Sequence, residues 1–219
     1  MDKIVDFTMI RKEKEDRLLT FSAKHIEEFQ YFVEREVNIR EKVKAKHIFR
    51  QKNEIEFIDF TNSEELLFQD WFTYDYLTVK GLTIYQSYVT SFSKNQMHPL
   101  HSVIHALFMA SVLEPFKVIK IENNHIYAEK LLTKEKCEIN IMESNKRKGI
   151  KEEEVIFLRT IPIFEKLLCI SGIFVQKDID VVNNLLNDIN KSEDNWRTFL
   201  KKYSIKYTWA KDSTSSIKK

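Results

Sequence analysis

Three histidines, His98, His101 and His105, are spaced three and four residues apart, so they share one side of a helix. Imidazoles one turn apart can hold a divalent metal when a third ligand approaches, and a metal-assisted hydrolase is the chemistry such a helix would serve. The glutamate of H-E-x-x-H is missing, and no second His or Cys pair at ligand spacing accompanies them. The plainer reading is a polar helix flank that titrates near neutral pH. A second cluster sets one acid among rings: Trp71, Tyr74 and Asp75, with Phe72 and Tyr76 between and beside them. Trp71, Tyr74 and Asp75 would line a pocket in which the carboxylate orients a ligand. The alternative is core, with the hydroxyl groups finding partners at its rim.

Two basic segments could meet anions. Residues 146–154, KRKGIKEEE, place Lys146, Arg147, Lys148 and Lys151 beside Glu152, Glu153 and Glu154. Three consecutive carboxylates cannot all face one ion, so Mg²⁺ is disfavoured. A self-neutralising solvated loop remains, or a phosphate contact through Arg147 and Lys148. The C-terminal residues 201–219 carry a net charge of +5, with Lys201, Lys202 and Lys206 interleaved with Tyr203, Tyr207 and Trp209. Lysines neutralise phosphates and aromatic faces stack on unpaired bases, so this segment is the candidate nucleic-acid contact. The other reading is a helix that docks its aromatic residues on the protein and ends in a solubilising tail.

Composition closes other routes. The 219 residues contain three glycines, Gly81, Gly149 and Gly172, too scattered for a phosphate-cradling G-x-G-x-x-G or P-loop or for a G-x-S-x-G elbow. No cofactor signature is present. The net charge of +2 gives no whole-molecule field toward nucleic acid or membrane. Cys137 and Cys169 read as buried, reduced thiols. The first fifteen residues carry charges at Asp2, Lys3 and Asp6 and lack a signal-peptide core. The longest hydrophobic stretch, Val155 to Val175, is interrupted by Arg159, Glu165 and Lys166, which argues against membrane insertion. A cytoplasmic location is expected.

The elements that must position these groups follow from periodicity. Residues 3–10 alternate weakly and would form a short strand. From Ser22, read as an N-cap, Ile26, Phe29, Val33, Val37 and Val43 keep a helical period. Residues 54–60 read as extended. Asn62 with Glu65 opens a helix that carries Leu67, Trp71, Tyr74 and Thr78 and stops near Gly81. Thr83 with Gln86 opens another, and Pro99 a third that Glu114-Pro115 ends. The period then becomes two: strands at 116–122, 125–132, 137–142, 155–164 and 166–175, with an Asn123-Asn124 turn and an edge or bulge at Pro162. Asp178 and Ser192 cap two final helices.

From about residue 68 to 176 the chain resembles a bacterial family of unassigned function whose helical and small β domain often precedes a SEC-C zinc-binding motif. Phe68, Trp71, Phe72 and Asp75 answer its F-x-x-W-F-x-x-D core, and Lys80, Gly81 and Thr83 its K-G-x-T. Ile126 to Ile139 answer a later β segment, and Leu158, Arg159, Pro162 and Gly172 the final pattern. A SEC-C motif needs C-x-C and further ligands, and past residue 142 the chain has Cys169 alone, so zinc through that motif is excluded. The resemblance implies an architecture and transfers no mechanism.

The expected fold is therefore α+β: a mainly helical region over 1–114, a five-stranded antiparallel module over 115–176, and C-terminal helices with a basic tail over 177–219. The expected function is a non-enzymatic interaction or adaptor protein that binds a protein partner through the β module and adjoining helices. Nucleic-acid binding and a metal-assisted hydrolase are the alternatives.

Overall fold

A computed structural model describes residues 7–55, 59–92, 99–142 and 149–208. Amphipathic helices build its first half: α1 (Phe7–Glu36), α2 (Ile39–Asn53), α3 (Asn62–Tyr74), α4 (Ile84–Ser91) and α5 (Pro99–Ala110). The stripe that begins near Ser22 is thus two helices. Ser22 lies buried inside α1 rather than at its start, and Asn38 caps α2 by accepting from the Arg40 N–H. Phe7–Ile10 are helical, against the strand that weak alternation predicts. Glu54 ends α2 in the left-handed region, and residues 59–60 belong to no strand, while 56–58 lie outside the described residues.

The capping box of α3 uses Thr61 and Glu64, one residue earlier than the Asn62–Glu65 spacing, and α3 stops at Tyr74 rather than near Gly81. The Thr83–Gln86 box is present with both reciprocal bonds. Ala110 ends α5, because Glu114-Pro115 already belong to a strand.

That strand is β1 (Leu113–Glu122), followed by β2 (His125–Lys130), β3 (Lys136–Asn140), β4 (Val155–Ile163), β5 (Lys166–Cys169) and β6 (Phe174–Gln176). The Asn123-Asn124 turn joins β1 to β2, with Asn123 at φ 42°. The sheet is not the five-stranded antiparallel module expected. Among the described residues it has six strands, and β3 runs parallel to β5. β1 also pairs with β4, so β1, β2, β3, β5 and β4 close a mixed five-stranded barrel to which β6 is added. Since β1 occupies one edge of β4, β5 and β6 share the other edge in succession. The single strand expected over 166–175 is therefore broken at residues 170–173. Pro162 sits where β4 has run past β1, so its missing N–H removes no bond on that edge.

The break is sterically tight. A β-carbon on Gly172 would meet the Phe174 ring at 2.9 Å, and Phe174 is buried. Gly172→Ala is expected to lower unfolding stability by about 1–3 kcal/mol in urea denaturation, the usual cost of overpacking; an unchanged midpoint would show that the ring moves freely.

β4 explains how the two halves join. Its run VIFLRTIPI is almost entirely buried, as a strand covered on both faces must be. Ile156 and Leu158 point into the barrel with Phe116, Val118, Ile126 and Ile139. Val155, Phe157, Ile161 and Ile163 point the other way, into a core shared with residues such as Phe49, Phe68 and Tyr85 of the helices. Among the described residues two further helices follow: α6 (Ile179–Lys191), capped by Asp178, and α7 (Trp196–Thr208). Ser192 closes α6 at its C-terminus rather than opening a helix; the Asn195 side chain takes the Thr198 N–H at the start of α7. Among the described residues, no helix is long and apolar enough to cross a membrane.

Candidate functional site

Among the described residues, three polar constellations and a surface groove on the barrel are candidate places for chemistry. The first is centred on Arg159, the one charge in β4 and fully buried. A guanidinium has five N–H donors, and burying it unpaired would cost several kcal/mol. Here every donor is used. Nε donates to Asp70 Oδ1 at 3.2 Å, and Nη2 to Asp70 Oδ2 and Asp75 Oδ2, both at 2.8 Å. Nη1 donates to Asp75 Oδ1 at 3.5 Å and to the Ser111 carbonyl at 2.9 Å. The Tyr74 ring lies 4.8 Å beneath the guanidinium carbon. Burial opposes the charge, but Asp70 and Asp75 hold Arg159 firmly protonated.

This cluster ties the end of α3, the residue after α5 and strand β4 into one knot. Asp75 and Arg159, 84 residues apart in the chain, meet in it. Trp71 lies in the helical core against Phe49 and Tyr76, Tyr74 is buried beside Arg159, and the Asp75 carboxylate is spent on the ion pair. A lone arginine in an otherwise apolar strand was the available signal for this knot. Asp70 gave none.

The second constellation lies between α1, α4 and α5. The Tyr85 hydroxyl is 2.7 Å from His25 Nε2 and 3.1 Å from His105 Nδ1. One hydroxyl proton serves one of these bonds, so the other imidazole must donate its own N–H to the tyrosine oxygen. His25 and His105 are both buried, with ring centres 4.9 Å apart. Burial is the main cause that lowers each to about 4; nearby histidines add to the fall. His101 stacks on His105 at 6.0 Å. His98 lies outside the described residues, and among the described residues no group of three or more His, Cys, Asp or Glu side chains is arranged to hold a metal ion. Sequence reasoning missed His25 and Tyr85, which are 60 residues apart.

The third is the basic-aromatic C-terminus. Lys201 Nζ donates to the Met109 carbonyl at 2.9 Å, and Lys202 pairs with Asp194 at 2.7 Å. Tyr207 is buried and donates to Asp188 at 2.5 Å, with the Lys206 ammonium 5.2 Å from its ring centre. Helix α7 therefore spends Lys201 and Tyr207 on its own docking. Trp209, Arg147 and Lys148 lie outside the described residues.

A groove of about 520 Å³ opens on the solvent side of the barrel, walled by Ile119, Lys120, Tyr127, Cys137, Glu138 and Glu165 among others. The pairing of β1 with β2 shifts between Val118 and Lys120, which leaves Ile119 as an extra residue and lifts it into solvent, 39% exposed. Charges line the groove: Glu138 pairs with Lys166 at 2.9 Å.

Fold and sites thus define an α+β protein with a mixed five-stranded barrel and a buried arginine whose donors are all paired within the fold. No protein family, curated protein or solved structure matches the chain.

Proposed function

We propose that the chain is a non-enzymatic interaction protein that takes a protein partner in the groove on the barrel's solvent face, akin in architecture to the bacterial family with SEC-C motifs. The observation that carries this reading is the bulge at Ile119, which exposes an apolar side chain beside Tyr127 within a rim of both charge signs. A groove of this kind suits an extended peptide of mixed charge: apolar contact supplies affinity, and flanking ion pairs supply register.

The test is selection from a displayed library of mixed-charge peptides, followed by dissociation constants for the wild type, Ile119→Asp and Tyr127→Ser. At least about tenfold weakening in each variant, with unchanged circular dichroism, is expected from the loss of a central apolar contact worth about 1.4 kcal/mol or more. Retained affinity in both variants would remove the groove from the reading. Steeply salt-dependent binding of oligonucleotides instead would favour the nucleic-acid alternative.

A further inference from the structure

The pleat of β1 sets Glu114 on the same face as Phe116 and opposite Leu158, both members of the barrel's interior cluster. Its carboxyl thus lies at one mouth of the barrel, where α7 packs on β1. Glu114 is 7% exposed, and its Oε1 is enclosed with no hydrogen-bond partner. A buried carboxylate without a partner is costly, so the group either keeps its proton or acquires a cation. Burial pushes it up to about 7; Lys130 and Arg197 draw it down and Glu135 opposes them.

The titratable and charged groups facing it come from each element that meets there: Lys130 of β2, Glu135 before β3, Cys137 of β3 and Arg197 of α7. Both cations are engaged elsewhere. Lys130 Nζ donates to Glu135 at 2.9 Å, while the Arg197 guanidinium lies 4.9 Å over the Trp196 ring. Arg197 is exposed, and a guanidinium holds a carboxylate more strongly than an exposed ring.

We propose that Glu114 makes the seat of α7 on the barrel a proton-controlled contact. With its proton on, the neutral carboxyl lies passively beneath the helix. When the proton leaves to solvent, the carboxylate draws Arg197 off the Trp196 ring and resets the first turn of α7. Trp196 reports the change directly, because its ring loses the cation above it.

The experiment is tryptophan emission of the full chain between pH 5.5 and 8.5. The wild type is expected to show one step with a midpoint near 7, the value toward which the buried carboxyl is pushed. Trp196→Phe should lose the step. Glu114→Gln, which mimics the protonated carboxyl, should be flat at the low-pH level. Arg197→Gln, a surface change that leaves the core untouched, should also be flat, and it decides the question alone if Glu114→Gln fails to fold. A wild-type emission without a step overturns the proposal, as does an unaltered step in Arg197→Gln.

Discussion

Arg159→Met should lower unfolding stability by about 3–5 kcal/mol, because it leaves Asp70 and Asp75 buried without the guanidinium that pairs them both. For a domain of this size the thermal midpoint falls about 2–4 °C per kcal/mol, so a drop of roughly 6–20 °C is expected in calorimetry. Arg159→Lys should not rescue it: an ammonium has three donors and no planar fork, two short of the five bonds that the guanidinium makes to the two carboxylates and the Ser111 carbonyl. The informative comparison is the triple variant Asp70→Asn, Asp75→Asn, Arg159→Met. Removing all three charges abolishes the desolvation cost along with the attraction, so the triple variant should be more stable than Arg159→Met alone. If Arg159→Met stays within about 1 kcal/mol of the wild type, the carboxylates are reaching water and the knot contributes little.

Acid should destabilise the protein well before its carboxylates as a class are protonated. His25 and His105 are lowered from 6.5 to about 4 in the folded chain. Between those values the unfolded chain binds protons that the native chain refuses, so stability is complete above pH 6.5 and declines as pH falls toward 4. At pH 5 the loss for the pair is on the order of 2 kcal/mol relative to pH 7.5, because His105 is itself a cause of the fall at His25 and the two do not add. Glu114 acts in the opposite sense. Its folded value is raised from 4.5 to about 7, so its contribution is present below 4.5 and is lost as pH rises through 7. The two effects partly cancel in the wild type. Urea denaturation of Glu114→Gln should therefore show a steeper decline below pH 6.5 than the wild type does. His25→Gln with His105→Gln should flatten it, and an unchanged slope in that pair would mean that the imidazoles are solvated.

What was legible in the residues was local. The Thr83–Gln86 box, the start of α5 at Pro99, the Asp178 cap and the turn at Asn123 each depend on neighbours within four positions. Alternation correctly placed strands over 116–122, 125–130, 137–140 and 155–163, because a pleat exposes alternate faces whatever lies beside it. It could not tell which strand lies beside which, and so the parallel pairing of Ile139 with Leu167 and the closure of β1 on β4 were missed. The candidate site was less legible still. Arg159 finds Asp70 and Asp75 from 89 and 84 residues away, and the His25–Tyr85 contact spans 60. The bulge at Ile119 carries no glycine to announce it.

The double service of β4 has a consequence for synthesis. This strand finishes the barrel with one face and the helical core with the other, and it delivers Arg159 to two aspartates made much earlier. A ribosome adding about 5–20 residues per second needs on the order of 4–18 s to travel from Asp70 to Arg159. Throughout that interval α3 carries acids with no counter-charge and apolar rings with no sheet to cover them. Until β4 has emerged, Asp70 and Asp75 lack the guanidinium that pairs them and the helical core lacks the strand that closes it, so the native packing of the first half waits on the second.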